Sequence, residues 1–460
     1  FRPVSKYWDR IQRPEQLLKA LPEAMRVLAD PAGRGAVTIA LPEDVQAEAY
    51  DYPAPFFEKR VYRMHRTRCS DDVLSAAARL VRNARRPLIV AGGGVHYSEA
   101  EEALKAFAGA TGIPVSMTQA GVGSLLDAHP ANLGSIGTTG NLAANRIARE
   151  ADLIIALGTR LSDFTTASKT QFHGGARFIG INVDAHDAHK HGALPLVGDA
   201  RAVLDDLLAA LRGYRVAREY ERDIAAACGA WDKAYRQITR LSGRLSQSAA
   251  IRVLNEEIGA EATVVHAAGG IPGDIHKLWK SRSALDYHSE YGYSCMGYEI
   301  AGALGVKMAS PEREVYALLG DGSYLMLNHE IATSIQERKK ITIVLIDNSG
   351  YHCIENLQRA CGGKRFGNRF KNFAVDYKAN AKSLGAMVFQ ARTAKELKAA
   401  LKKARSEKRT SLIYVPLNAV KTLPAYSWWE VPPAEVSAHS DVRNARAKYD
   451  GARKRQNFHY

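Results

Sequence analysis

Apolar residues between positions 315 and 346 follow two different spacings, and the pattern predicts a β-α-β unit. Residues 315–319 and 341–346 are short apolar runs of the kind that form buried strands. Between them, Leu325, Ile331 and Ile335 recur near the spacing of one helix face. Two strands joined through a helix lie parallel, so we expect both to end at the same edge of a sheet.

The same alternation of strands and helices continues over most of the chain. Residues 60–215 place strands between helices, and residues 245–425 repeat the arrangement. This order predicts the α/β class, with successive doubly wound parallel-sheet domains. The predicted strands are 87–90, 113–115, 152–157 and 177–182 in the first domain, and 263–266, 315–319, 341–346 and 411–415 in the second.

Three shorter segments flank these two domains. Residues 1–57 contain one predicted helix and one predicted strand, which are too few to bury a face by themselves. Residues 216–244 are helical and charged, which is typical of a connector. Residues 426–460 form a C-terminal arm, with Trp428 and Trp429 as packing anchors and a basic helix beyond them.

Composition narrows the classes of function. The chain is 46% apolar, but no apolar run approaches the ~18 residues that cross a membrane, so we expect no membrane partner. The five cysteines are odd in number and form no CxxC pair, which indicates reduced thiols and a cytoplasmic protein. The net charge is +15, but the basic residues are scattered without interleaved aromatic residues. We therefore expect a basic solvated surface and no nucleic-acid partner.

Polar residues follow both strands of the β-α-β unit. Asp321 comes soon after the first strand, and Asn348 follows the second. Because the strands end at one edge, we expect these side chains to meet there. Carboxylate and amide oxygens suit Mg²⁺ shared with a phosphate better than they suit zinc. Gly320 and Gly322 allow the backbone to approach an anion closely, and the helix N-terminus that follows favours negative charge.

The spacing of these residues resembles a known signature. A Gly-Asp-Gly run at 320–322, twenty-four further residues and then Asp347-Asn348 resemble the motif of thiamine diphosphate enzymes, which usually ends in two asparagines. Asp347 departs from that ending, but Asn348, at the position of the family's metal ligand, is present. Residues 290–309, 320–337 and 347–358 further resemble the 3D-(3,5/4)-trihydroxycyclohexane-1,2-dione hydrolase family of inositol catabolism, and the resemblance extends over nearly the whole chain.

The resemblance implies two cofactors, thiamine diphosphate and Mg²⁺. The metal ligands would be Asp321, Asn348 and the carbonyl group of Gly350. The carbonyl group of Ser294 would receive the cofactor's 4′-amino group, and Met296 would lie between the two cofactor rings and keep the molecule bent. The other implied cofactor-binding residues are Gly269, Gly270, Gly322, Ser323 and Tyr351.

The resemblance also implies a reaction and an assembly. The reaction is hydrolysis of the C–C bond between the two carbonyls of a cyclic polyhydroxylated 1,2-diketone, trihydroxycyclohexane-1,2-dione, to give 5-deoxyglucuronate. Cofactor sites of this type lie between subunits, so we expect a dimer or tetramer. Residues 60–215 and 245–425 would be the central Rossmann-like and the diphosphate-binding domain, and residues 1–57 the end of a pyrimidine-binding domain.

The resemblance also bears on which residues transfer protons. In the resembled family, the glutamate that activates the cofactor comes from the earlier part of the pyrimidine-binding domain, which this sequence does not include. His352 and Tyr293 lie near the cofactor loops and are candidates for proton transfer, although each also fits a structural or surface role.

Other interpretations share parts of the pattern. An acetolactate synthase-like carboligase would use the same cofactor residues, and a chain without the pyrimidine half would fit an inactive binding or assembly fragment. The glycines at 92–94 resemble a dinucleotide fingerprint, but Tyr97 replaces its third glycine, so a structural domain is favoured over one that binds a flavin nucleotide. His186, His189 and His191 lack the spacing and the cysteines of a zinc site, which favours an exposed loop.

Overall fold

The computed structural model describes residues 1–241, 243–370, 374–417 and 422–460. Two six-stranded sheets form its main body, and the strand pairings within both sheets are parallel. The predicted α/β class with successive doubly wound parallel sheets is confirmed. Residue 242 of the predicted connector, and residues 371–373 and 418–421 of the predicted second domain, lie outside the described residues.

The N-terminal segment forms a small layer of its own. Strand β1 (Tyr7–Arg10) pairs in parallel with β2 (Val37–Ala40), helix α1 (Leu17–Ala29) connects them, and the short α2 (Glu43–Gln46) follows. The sequence analysis missed β1, because its four residues show no alternation of apolar and polar positions. Neither strand contains a fully buried residue, so this segment has little core of its own.

The central domain is a sheet covered on both faces. Its elements are α3 (Asp71–Asn83), β3 (Pro87–Ala91), α4 (Gly94–Tyr97), α5 (Glu101–Thr111), β4 (Val115–Met117), β5 (Asn132–Ser135), α6 (Leu142–Glu150), β6 (Leu153–Leu157), α7 (Asp163–Thr166), β7 (Arg177–Asn182), α8 (Ala185–Ala188), β8 (Leu194–Val197) and α9 (Ala200–Ala210). The strand order is β5-β4-β3-β6-β7-β8. All residues of β3 and β6 are buried, as expected for central strands of a parallel sheet.

The second domain repeats this organisation after a connecting helix, α10 (Arg218–Ile238). Its elements are α11 (Gln247–Glu257), β9 (Thr263–His266), α12 (Gly270–Leu278), β10 (Tyr287–Ser289), α13 (Tyr298–Ala309), β11 (Val315–Gly320), α14 (Asp321–Leu327), α15 (Glu330–Gln336), β12 (Thr342–Asp347), α16 (His352–Ala360), α17 (Tyr377–Ser383), β13 (Met387–Gln390), α18 (Ala394–Ser406) and β14 (Ser411–Pro416). The strand order is β10-β9-β11-β12-β14-β13. Strands are therefore added on one side of β9 and then on the other, starting at β11. Ligands of open α/β sheets bind at such a switch point, here between β9 and β11.

The predicted β-α-β unit is present, with one difference. Strands β11 and β12 are parallel neighbours, and Gly320 pairs with Ile346 in their register. Two helices, α14 and α15, connect them in place of the single predicted helix. At the break, the N–H of Ile331 donates to the carbonyl group of Asn328, which is the spacing of a tight turn.

The C-terminal arm lies on the central domain. The indole N–H of Trp429 donates to Oδ2 of Asp163 at 3.1 Å. Helix α19 (Ser440–Arg453) follows, and beyond it the N–H of Asn457 donates to the carbonyl group of Lys169 at 2.8 Å. Lys169 has a φ of 64°, which non-glycine residues rarely adopt. The arm therefore supports a strained turn of the central domain.

Two observations bear on the expectations from composition. None of the helices within the four described ranges combines the length and the apolar character that a membrane span requires. The five cysteines are free thiols.

A buried histidine joins the two large domains. His276, in α12, places Nδ1 2.8 Å from the hydroxyl group of Thr139 and Nε2 3.3 Å from the carbonyl oxygen of Met117, both in the central domain. Its side chain is buried, and burial lowers its pKa to about 4. The imidazole is therefore neutral at physiological pH.

We predict that His276 makes the folded chain sensitive to acid. Its pKa is about 4 in the folded chain against 6.5 in the unfolded chain, so between these values the unfolded chain binds more protons. This contribution to stability is fully present above pH 6.5 and is lost as the pH falls towards 4; at pH 5 the loss is about 2 kcal/mol. Urea unfolding at pH 7 and pH 5 should show a smaller pH dependence for His276→Gln than for the wild type, and equal dependence would contradict the assignment.

Candidate functional site

Four loops meet at the carboxyl edge of the second sheet. They follow β9, β10, β11 and β12, which are adjacent in the order β10-β9-β11-β12. Parallel strands deliver the loops to one edge, on both sides of the switch point between β9 and β11. The loops contain the predicted residues 269–270, 294–296, 321–323 and 348–351.

Two oxygens in these loops are buried without a hydrogen-bond partner among the described residues. They are Oδ1 of Asp321 and Oδ1 of Asn348. Asp321 is 0% exposed, and its other carboxylate oxygen accepts a 2.7 Å hydrogen bond from the N–H of Gly350. An unpaired buried acceptor costs on the order of 1–3 kcal/mol. Each of these oxygens is therefore available to accept a hydrogen bond or to contact a cation.

The charge of the site also favours a cation. Burial and the neighbouring carboxylate of Asp347 raise the pKa of Asp321 well above its usual range. Asp347 accepts hydrogen bonds from the hydroxyl group of Tyr414, at 2.6 Å, and from the N–H of Ser349, at 2.9 Å. Asp347, which stands where the motif usually has an asparagine, thus adds a second carboxylate beside Asp321. Oxygen donors of this kind suit Mg²⁺.

An ion pair holds the loop after β12 in position. Arg369 donates through Nη1 to the carbonyl group of Asn348 at 2.8 Å and through Nε to Oε2 of Glu355 at 2.5 Å. The N–H of Tyr351 donates to the carbonyl group of Asn368 at 2.8 Å. Neither Arg369 nor Glu355 was predicted from the sequence, because an ion pair between residues fourteen positions apart leaves no recognisable pattern in the local sequence.

Met296, Gly322 and Tyr351, from three different loops, lie together. A Cβ atom on Gly322 would be 2.6 Å from the ring of Tyr351 and 3.5 Å from Cε of Met296. Ser294, two residues before Met296, has a φ of 51°, a conformation that is costly for a residue with a side chain. Backbone strain of this kind often accompanies a functional site.

Gly269 and Gly270 border open space at the start of α12. Gly269 has a φ of 94°, which favours glycine. Beyond the adjoining backbone, no heavy atom of the described residues lies within 4 Å of a Cβ built on either glycine. The first N–H groups of a helix have no partner inside the helix and attract anions. This loop therefore has the space and the polarity for a phosphate group.

Comparison with known proteins then identifies the family. Residues 74–207 match the central domain of thiamine pyrophosphate enzymes, and residues 267–415 match their C-terminal TPP binding domain. A 3D-(3,5/4)-trihydroxycyclohexane-1,2-dione hydrolase 2 of Bacillus cereus is 43% identical over 97% of this chain and 75% of its own length. The chain belongs to the 3D-(3,5/4)-trihydroxycyclohexane-1,2-dione hydrolase family.

Further members of this hydrolase family match the chain equally well. Proteins of the same name from Geobacillus thermodenitrificans and Clostridium perfringens are 44% and 43% identical over 97% of this chain, and the match covers 75% and 76% of their own lengths. The resemblance inferred from the motifs is thus confirmed, and the chain is an enzyme of the thiamine pyrophosphate (thiamine diphosphate) type. The roles of its individual site residues stay predictions.

The two candidates for proton transfer occupy very different environments. Tyr293 is 91% exposed. His352 is largely buried, neither ring nitrogen has a hydrogen-bond partner among the described residues, and Nδ1 is 4.0 Å from Oε2 of Glu355. Burial and the nearby Arg369 lower the pKa of His352, so its ring is neutral at physiological pH. His352 is therefore the better placed of the two for proton transfer, and both stay predictions.

The switch point of the central sheet is closed in this member of the hydrolase family. A Cβ on Gly92 would lie 2.5 Å from the carbonyl oxygen of Gly158, and a Cβ on Gly94 would lie 2.6 Å from Cα of Gly158. The N–H of Gly94 donates to that carbonyl oxygen at 2.9 Å, and the N–H of Gly92 donates to the carbonyl group of Leu157. These glycines allow two backbone segments to pack closely. Their amides are therefore not free to bind the phosphate of a nucleotide.

His186, His189 and His191 follow β7, with His186 in the short helix α8 and the other two just after it. Asp184 caps the short α8 by accepting from the N–H of His186, and the ring of His191 stacks on Phe178 at 5.6 Å between centroids. Across the described ranges, no group of three or more His, Cys, Asp or Glu side chains is arranged to hold a metal ion.

We predict that Gly350→Ala destabilises the chain. Gly350 has a φ of 141°, and a Cβ there would lie 2.2 Å from the carbonyl oxygen of Asn368. Relieving that overlap must displace the loop after β12, at an expected cost of about 2 kcal/mol. Urea unfolding measures the effect. Gly451→Ala, inside α19, is the control, because a Cβ there meets no atom of the described residues within 4 Å and alanine favours a helix. The control should lose no stability, and a Gly350→Ala variant that also loses none would contradict the prediction.

Proposed function

We propose that this chain supplies the diphosphate- and Mg²⁺-binding part of a thiamine diphosphate site, and that the enzyme hydrolyses the C–C bond between the two carbonyls of trihydroxycyclohexane-1,2-dione. The product would be 5-deoxyglucuronate, as a step of inositol catabolism in the cytoplasm. The observation that carries the proposal is the pair of unbonded buried oxygens on Asp321 and Asn348. The names of the relatives, at 43–44% identity, support the substrate.

The metal would be bound at the ends of β11 and β12. Asp321 and Asn348 offer two side-chain oxygens, and the carbonyl group of Gly350 is the third predicted ligand from the protein. Mg²⁺ prefers few protein ligands together with phosphate oxygens, which agrees with this small set. The N–H of Gly350 already donates to Asp321, so the two loops are close together before a metal enters.

The diphosphate would lie between two backbone segments. Gly269 and Gly270 leave open space at the first turn of α12. On the other side, the backbone N–H groups of Gly322 and Ser323 are the predicted donors. Both segments begin at the carboxyl end of a strand next to the switch point, which supports a shared ligand.

The rest of the cofactor would be held by the loop after β10. Met296 would hold the rings in the bent form, and the carbonyl group of Ser294 would accept a hydrogen bond from the amino group. When bound, thiamine diphosphate supplies a nucleophilic carbon and an electron sink for the broken C–C bond. His352 is the residue of this chain that we propose accepts a proton. Both of its ring nitrogens lack a hydrogen-bond partner among the described residues, and its pKa is lowered.

The proposal includes the organisation of the chain. Residues 60–215 and 245–425 would be the central and diphosphate-binding domains, residues 216–244 the connector and 426–460 an arm on the central domain. Residues 1–57 would be the end of a pyrimidine-binding domain, and a dimer or tetramer would complete each cofactor site with a neighbouring subunit. The family matches at 74–207 and 267–415 support the two large domains.

We predict the products as a test of the reaction. With Mg²⁺ and thiamine diphosphate, the protein should convert trihydroxycyclohexane-1,2-dione to 5-deoxyglucuronate, followed by NMR, and should form no acetolactate from pyruvate. Acetolactate as the main product would instead support the carboligase. If neither substrate reacts while the cofactor binds, the chain is an inactive binding fragment.

We predict that Asp321→Asn stabilises the ligand-free chain but abolishes cofactor binding. The change removes a buried charge beside Asp347 and keeps an acceptor for the N–H of Gly350, so the ligand-free chain should gain about 1–2 kcal/mol. The stabilisation by Mg²⁺ and thiamine diphosphate, about 2.7 kcal/mol at 100 times Kd for the wild type, should be lost. Thermal unfolding with and without the ligands measures both effects.

The matched control for this test is Asp347→Asn. It also removes one carboxylate from the pair and restores the asparagine that the motif usually has, but it leaves the predicted ligands unchanged. This variant should keep the shift caused by Mg²⁺ and thiamine diphosphate. A full ligand-induced shift in Asp321→Asn would remove Asp321 from the metal site.

A further inference from the structure

A glutamate that the sequence analysis did not consider connects three loops of the site. Glu299, near the start of α13, is 1% exposed. One carboxylate oxygen accepts a 2.9 Å hydrogen bond from the N–H of Gly297, and the other accepts a longer one, 3.4 Å, from the N–H of Ala268. Burial raises the pKa of Glu299 above its usual range, and a hydrogen bond with the hydroxyl group of Ser323 opposes that rise. One buried side chain thus contacts the loops after β9, β10 and β11.

Each of these partners is a predicted cofactor-binding residue or lies next to one in the sequence. Ala268 immediately precedes Gly269, Gly297 immediately follows Met296, and Ser323 is itself a predicted donor to the diphosphate. The carboxylate therefore sets the distances between backbone segments that would have to contact one ligand together.

We propose that Glu299 is a positioning residue that holds these three loops as a preformed cradle for the cofactor. The inference rests on the proposed function and deepens it, because it assigns the geometry of the cradle to one side chain. Glu299 itself need not touch the cofactor or the substrate.

A carboxylate suits this task better than other side chains. It accepts hydrogen bonds through two oxygens and donates none, so it can satisfy several N–H and O–H donors at once. A glutamine would replace one of the two oxygens with an NH₂ group. This group can donate to the hydroxyl group of Ser323, but it cannot accept a hydrogen bond from a backbone N–H. An apolar residue would leave the N–H groups of Ala268 and Gly297 without this acceptor.

A simpler role as a helix cap explains only part of these contacts. An acidic residue in the first turn of α13 would interact with the helix dipole and with the N–H of Gly297 in the absence of any ligand site. The contacts with Ala268 and Ser323 join α13 to two other strand ends, which a cap does not require. The two roles predict different effects on cofactor affinity.

The test measures affinity and stability in the same variants. Titration calorimetry with thiamine diphosphate at saturating Mg²⁺ gives the affinity, and thermal unfolding without ligand gives the stability. We expect Glu299→Gln to weaken binding about tenfold and Glu299→Ala about a hundredfold, which are losses of about 1.4 and 2.7 kcal/mol. Glu299→Gln should unfold close to the wild-type temperature, because it keeps the size of the side chain and part of its hydrogen bonding.

Two further variants isolate the proposed connection. Glu102→Gln removes an acidic residue from the first turn of α5 in the central domain, and it should leave the affinity unchanged. Ser323→Ala keeps the backbone N–H and removes the hydroxyl group. Its effect on affinity should be smaller in the Glu299→Ala background than in the wild type, because the two residues would act through one contact.

The outcomes distinguish the inference from the function on which it rests. If the wild type binds the cofactor and both Glu299 variants bind it equally well, Glu299 is only a helix cap and the inference is wrong. If the affinity loss follows the loss of thermal stability in each variant, a general structural role replaces the proposed one. If the wild type itself binds no thiamine diphosphate with Mg²⁺, the proposed function fails and the inference fails with it.

Discussion

The site depends on one carboxylate, that of Asp321, which is buried at the end of a central strand. One of its oxygens has no hydrogen-bond partner among the described residues. Asp321 lies at the switch point of a parallel sheet, where it is shielded from water and has the carboxylate of Asp347 beside it. Without a counter-charge, this arrangement is unfavourable, and its usual solution in proteins is a metal ion or a proton. The N–H of Gly350 satisfies only one of the two carboxylate oxygens. The other has no hydrogen-bond partner among the described residues.

The two large domains show that topology alone does not create a binding site. Both are parallel six-stranded sheets with a reversal of strand order, and in both a glycine-containing loop follows the strand at that reversal. In the central domain, Gly92 and Gly94 pack against the backbone at Gly158 and close the crevice. In the second domain, Gly269 and Gly270 face open space. The position of the neighbouring backbone, more than the presence of glycine, decides whether such a loop has room for a ligand.

The loops of the second domain are held by buried charged side chains behind them. Arg369 holds the carbonyl group of Asn348 and is itself held by Glu355, while Glu299 receives donors from other loops. Such supporting contacts keep backbone groups at fixed distances before a ligand arrives, which reduces the conformational entropy lost on binding.

The sequence by itself determined the fold class and the edge at which the site lies. Apolar runs spaced by helical segments leave few alternatives to parallel sheets, and the crossover rule then brings Asp321 and Asn348 to one edge. The short strands β5 and β10 escaped prediction, because they lack the apolar run that marks the equally short β9. Only the tertiary structure decided that the glycines at 92–94 are closed in, and that Glu299 and Arg369 connect separate loops. Those contacts join residues far apart in the chain, and their distances depend on how the strands are ordered and packed, which no local pattern records.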